Sequence, residues 1–131
     1  RRARQIRYLR YVPEGDLPAL YAGAEVFALA SRYEGFGFTP LEAMACGAPV
    51  VVSPGGSLAE VVGDAAVIVA EADPGAWRLA LARVLDDSAL RRRLQAAGLE
   101  QARRYRWAET ARQTWDVYRR VLNQTAGEER P

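Results

Sequence analysis

Apolar positions in this chain fall first into short unbroken runs and then into helical intervals. Val26–Ala30, Val50–Ser53 and Ala66–Val69 are brief runs bounded by turn residues, and Ile6–Val12 is a longer strand-like stretch. Short helices are predicted between them. Asp16 is placed to cap Leu17–Ala22, with Pro18 tolerated in the first turn. Thr39–Cys46 reads as a helix with Pro40 at its first position and Gly47 as its stop. Ser57 and Glu60 have the spacing of a capping box for a helix ending near Gly63. Continuous apolar strands alternating with short helices predict a parallel sheet covered on both faces, the doubly wound α/β architecture.

The remainder reads as helix. Asp73-Pro74 opens one helix carrying Trp77, Leu81 and Val84, and Ser88 opens a second carrying Leu90, Leu94 and Ala97. A third, from about Arg106 to Leu122, has Trp107, Ala111, Trp115, Tyr118 and Leu122 on one stripe. That stripe predicts core packing for the tryptophans. Residues 1–122 are expected to form one domain, and 123–131 a polar tail that frays. The opening is abrupt. Arg1–Arg4 run straight into the first apolar stretch without a methionine, so the chain is expected to be a piece of something longer.

Composition narrows the chemistry. The 131 residues are 50% apolar, enough for a buried core, and the net charge is +2. There is no His and one Cys, which argues against a zinc site, an internal disulfide and imidazole-based catalysis. No run approaches the roughly 20 apolar residues of a membrane span. A cytoplasmic location is expected. Carboxylates, hydroxyls, arginines and backbone dipoles are left to act.

The informative segment is Ser31–Gly47, SRYEGFGFTPLEAMACG, where a strand ends, a glycine loop follows and a helix begins. Ligands of open α/β sheets sit at strand carboxyl ends, and a helix N-terminus offers N–H groups to an anion. Gly35 and Gly37 permit close backbone approach, as a nucleotide phosphate requires. Glu34 has no evident capping or packing role, and a carboxylate there can accept hydrogen bonds from sugar hydroxyls. Glu42 has two readings, since Thr39 and Glu42 also have the spacing of a capping box.

These residues resemble the E-x(7)-E signature of the family-4 group of retaining glycosyltransferases, with Glu34 and Glu42 as its two glutamates. Tyr8–Val12 with Asp16-Leu17, Tyr21 and Ala24, then SRYEGFG, PLEAMACGAPVVVS and GGSLAEVVGD, and finally Tyr105-Arg106-Trp107, resemble further family segments in order and spacing across residues 6–122. The resemblance implies the Rossmann-like C-terminal domain of the two-domain GT-B fold, holding a nucleoside-diphosphate sugar without a metal or other cofactor. Glu34 would contact the donor sugar near its anomeric carbon. Gly35, Phe36, Gly37 and Phe38 would offer amides to the sugar and diphosphate, with Thr39 in the same donor-binding set. Glu42 would bind the ribose, and Tyr11 and Val12 would lie near the base. Arg10 stands where the family has glycine and Ala30 where it has proline. The acceptor domain and a basic pair that grips the diphosphate would lie upstream, so the fragment alone is expected to transfer nothing. Alternatives are an epimerase-like GT-B enzyme and a non-catalytic nucleotide- or sugar-binding module.

Other features have plainer readings. Cys46 is expected to be a small core residue, and Gly55-Gly56 a turn. Between Arg91 and Arg120, nine arginines face Glu100, Glu109 and Asp116, a local charge of +6. Such a face is usually solvated, but it could meet the inner face of a membrane peripherally, or the upstream domain. Nucleic acid is not expected, because no aromatic residues interleave with the basic ones in the required way.

Overall fold

The structure is a computed structural model that describes residues 6–70 and 72–128. Three strands, β1 (Phe27–Leu29), β2 (Val50–Val52) and β3 (Ala66–Ile68), form a parallel sheet in the order β1-β2-β3. Phe27 pairs with Val50 and Val50 with Ala66, and the ladder continues through Leu29, Val52 and Ile68. Between and after the strands lie α1 (Leu17–Ala22), α2 (Phe38–Ala45), α3 (Leu58–Val62), α4 (Pro74–Asp86), α5 (Ser88–Arg103) and α6 (Trp107–Glu128).

The central strand explains the layering. Successive side chains of a strand point to opposite faces. Val50 and Val52 accordingly join Leu41, Met44, Leu58 and Val62 in a core under α2 and α3, while Val51 joins Val84, Leu90 and Leu94 under α4 and α5. All three valines are fully buried. A strand covered on both faces must be apolar throughout, which is why the run carries no polar alternation. Helix α5 ties the layers together. Its Leu90 and Leu94 pack on the second core, and farther along Gly98 lies so close to α2 that a Cβ there would meet Met44 Cγ at 3.1 Å.

Both long helices of this layer begin on aspartate caps. Asp73 accepts from the Ala76 amide at 2.8 Å, and Asp87 accepts from the Ala89 and Leu90 amides at 2.9 Å. The Leu90 amide bond, with that from Ala89, holds the Asp87 carboxyl below its ordinary range.

Several sequence expectations are corrected. Ile6–Val12 is not a strand; its backbone is irregular, with Ile6 77% and Tyr8 82% exposed. A β-rich run forms a strand only where another ladder receives its N–H and C=O groups, and no described segment pairs with it. Arg1–Arg4 lie outside the described residues. Asp16 precedes α1 as expected but caps nothing with its side chain, because a 3-10 turn over Glu14–Asp16 runs directly into the helix and leaves Asp16 helical. Helix α6 continues to Glu128, past the expected end at Leu122, since no proline intervenes before position 131.

The largest departure concerns the stripe on α6. Trp107 is 77% exposed and Trp115 60%, with Tyr118 and Leu122 exposed beside them. The helical period is as expected, but the helix leaves the core at the Arg104–Arg106 turn. Trp77 does pack against the second core.

Candidate functional site

The loop Ser31–Gly37 leaves the carboxyl end of β1 and feeds α2. Gly37 is its pivot. With φ +103° it lies in the left-handed region that side chains avoid, and a Cβ there would meet Leu58 of α3 at 3.1 Å. Only glycine brings the chain round this corner and against α3. The first turn of α2, from Phe38 through Thr39 and Pro40, therefore starts at the sheet's carboxyl edge, with the positive end of its dipole beside the loop.

The capping-box reading of Glu42 does not hold. Helix α2 begins at Phe38 with Gly37 as its cap, so Thr39 is already helical and its hydroxyl makes no cap bond. Pro40 falls in the third helical position rather than the first. Glu42 is exposed on the second turn and accepts a hydrogen bond from Tyr21 Oη of α1 at 3.1 Å. Partial burial, then the bond to Glu42 and its charge, raise the Tyr21 pKa above its ordinary value. A carboxylate accepts at more than one position, so the Tyr21 bond aims Glu42 without saturating it. Beside this pair is a pocket of about 480 Å³ lined by Glu14, Leu17, Pro18 and Cys46. Tyr11, exposed, and Val12, half-buried, lie in the segment just before Glu14.

Glu34 is half-buried in the loop, between exposed Tyr33 and exposed Gly35. The loop is held from behind. Ser31 Oγ donates to the Tyr33 carbonyl at 2.9 Å, Ser53 Oγ donates to the Ser31 carbonyl, and Ser57 Oγ donates to the Phe36 carbonyl at 2.6 Å. Ser57 was expected to cap α3 with its hydroxyl. Its backbone is helical instead (φ −85°, ψ −1°), and no cap bond forms.

An aromatic cluster borders the other side. Phe36 and Phe38 are 4.7 Å apart, Phe36 meets Tyr105 edge-on at 5.8 Å, and Phe38 stacks on Trp107 at 5.9 Å. With Leu41 and Glu42 these rings line a pocket of about 370 Å³. The structure thus brings Glu34, Gly35, Phe36, Gly37, Phe38, Thr39 and Glu42 together on one loop-helix unit. Sequence reasoning missed the placement of Tyr21, Ser53 and Ser57 around it. Tyr21 and Ser53 lie in family-like segments that assign them no partner, and the Ser-x-x-Glu spacing pointed Ser57 elsewhere. Cys46, at the end of α2, is half-buried rather than fully in the core.

Among the described residues no three Cys, Asp or Glu side chains converge to hold a metal ion, and no described helix is long and apolar enough to cross a membrane. The arginine-rich face is partly neutralised by its own acids: Arg103 pairs with Glu100, and Arg112 with Glu109 and Asp116. The Arg112 bonds hold the Glu109 carboxyl down at about 2.

A parallel sheet with a glycine loop and a helix N-terminus at its carboxyl edge defines a Rossmann-like unit. Residues 2–101 match the family Glycosyl transferases group 1, and the chain belongs to that family. It is 46% identical over 114 residues to the O-antigen chain mannosyltransferase B of Escherichia coli, covering 87% of this chain and 30% of that protein. It is 44% identical over 118 residues to a D-inositol 3-phosphate glycosyltransferase of a Nocardioides species, covering 88% and 26%. Its fold matches the sucrose-phosphate synthase of Thermosynechococcus elongatus with a TM-score of 0.83 and 30% identity, over 92% of this chain and 31% of that one. The fold is thus that of a Rossmann-like GT-B domain, and the chain spans about a quarter to a third of the length of these relatives.

Proposed function

We propose that this chain is the donor-binding half of a retaining, family-4 glycosyltransferase that moves a sugar from a nucleoside diphosphate to an acceptor without a metal. The acceptor is held by a second domain, and the enzyme works in the cytoplasm. One observation carries the reading: Glu34 and Glu42 flank a glycine corner and a helix N-terminus at the sheet's carboxyl edge, in a chain of the group 1 family. The relatives named above are transferases of mannosyl and other glycosyl groups, which supports transfer from an activated donor.

In this reading the diphosphate lies at the start of α2, where amides of Gly35, Phe36, Gly37 and Phe38, together with Thr39, meet its oxygens. Those dipoles are in place before negative charge develops on the leaving diphosphate, so no reorganisation is needed at the moment of bond cleavage. Glu34 orients the sugar by accepting from its hydroxyls and stabilises positive charge at the anomeric carbon. Glu42, aimed by Tyr21, accepts from the ribose hydroxyls, and Tyr11 and Val12 border the base.

Titration of the chain with UDP, GDP, ADP and their sugar conjugates tests this. Binding is expected in the high micromolar to millimolar range, because half the cleft is absent. Glu42→Gln should weaken free diphosphate and conjugate alike by about fivefold, on the order of 1 kcal/mol, since both carry the ribose. An unchanged affinity would remove Glu42 from the nucleotide site.

A further inference from the structure

The β2–α3 loop, Ser53–Ser57, makes a contact with the Glu34 loop closer than a plain turn requires. Gly55 lies so near it that a Cβ there would stand 2.6 Å from the Arg32 carbonyl carbon and from the Ser31 oxygen. Gly56 has φ +63°, and a Cβ there would stand 2.8 Å from the Glu34 amide nitrogen and nearer still to the Glu34 carbonyl oxygen. Real side chains do not occupy such positions, so the two glycines exist where the backbones touch. Three carbonyls of the Glu34 loop are then taken up by this neighbour. Ser31 accepts from Ser53 Oγ, Phe36 accepts from Ser57 Oγ, and Glu34 accepts from the Ser57 amide at 3.3 Å.

The consequence follows from peptide geometry. In a trans peptide the C=O and the following N–H point in opposite directions, and no peptide bond among the described residues is cis. Ser57 draws the Glu34 and Phe36 carbonyls toward itself, which turns the Gly35 and Gly37 N–H groups away from it. Exposed Gly35, with no Cβ of its own, could not otherwise hold one orientation against its conformational freedom.

We infer that Ser53, Gly55, Gly56 and Ser57 form a brace that fixes the backbone of residues 31–37, turning the Gly35 and Gly37 amides away from Ser57 and setting the direction of Glu34. They are positioning residues that touch no substrate. Their role in sugar-nucleotide binding rests on the donor-site reading above, whereas the brace itself does not. Pre-orienting the amides reduces the ordering cost of binding, and the brace acts through that term.

Two readouts separate the claims. Backbone ¹⁵N order parameters report the brace with no ligand present. For Gly35–Gly37 they should be about 0.8 in the wild type and fall below about 0.6 in Ser57→Ala, while β2 and α5 stay rigid. Ser57→Thr keeps the hydroxyl and should restore them. Affinity for whichever of UDP-glucose, GDP-mannose or ADP-glucose the wild type binds should fall about tenfold in Ser57→Ala and recover within about twofold in Ser57→Thr. Gly56→Ala, which pushes directly on Glu34, should shift the Glu34 and Gly35 resonances and weaken the same conjugate. Order parameters unchanged in Ser57→Ala, with resonances unmoved in Gly56→Ala, would overturn the brace. A loosened loop in a chain that binds no conjugate even as wild type would uphold the brace and sink the donor-site reading.

Discussion

Glu34→Gln should cost this chain about tenfold in affinity for the sugar conjugate it binds, and less than about twofold for the matching free diphosphate. Sugar hydroxyls are neutral donors, and hydrogen bonds to a charged acceptor are roughly twice as strong as neutral ones. The substitution keeps the size of the side chain and one carbonyl acceptor, so the loss is that of the charge, ~1–2 kcal/mol. In the proposed site the diphosphate would be met by backbone amides and the start of α2, which the substitution leaves in place. Titration calorimetry on both ligands reads the split. Equal losses for conjugate and diphosphate would take the sugar role away from Glu34 and make it a general feature of the loop.

The second large effect concerns packing. Leu94→Ala should destabilise the fold by ~2–5 kcal/mol, lowering Tm by about 10 °C or more. Leu94 is 2% exposed and lies with Val51, Val84 and Leu90, where the neighbouring strand and helix leave little room to collapse into a cavity. Trp115→Ala, by contrast, should change stability by no more than ~0.5 kcal/mol despite the larger side chain removed, because Trp115 is 60% exposed. Thermal and denaturant unfolding of the two variants reads the comparison. A cost at Trp115 matching that at Leu94 would mean that the α6 stripe is covered in solution.

That contrast marks how far the sequence was legible. Leu94 and Trp115 both lie on apolar stripes with a good helical period, and periodicity predicts a face without naming what covers it. Where the partner is local, the reading succeeds. Val50–Val52 is strongly β-branched and sits between two strands of the same short unit, and α2 is bounded by glycines with positive φ at 37 and 47. Where the partner is distant or missing, the reading fails. Ile6–Val12 has strand composition, yet no described ladder accepts it.

The site was legible as a cluster and illegible in its bonding. Glu34 and Glu42 could be singled out from a glycine loop between strand and helix, but two capping boxes read from spacing are absent. Thr39 lies one residue inside α2 because Gly37 turns the corner earlier, and that single-residue shift releases Glu42 to Tyr21. Ser57 has helical backbone angles, which direct its hydroxyl to the Glu34 loop. Spacing alone carries neither fact, because each depends on a dihedral angle at one residue.

The central claim, that the loop and the first turn of α2 form a nucleotide-sugar site, is tested most directly by following backbone amide resonances as UDP, GDP and ADP are added in turn. The account predicts that one of them moves the Gly35, Gly37 and Phe38 amides, together with residues around Glu42 and Tyr21, along a saturable curve in the high micromolar to millimolar range. Resonances at these positions that stay fixed up to about 10 mM of all three, a concentration at which even a millimolar contact is nearly saturated, would contradict it.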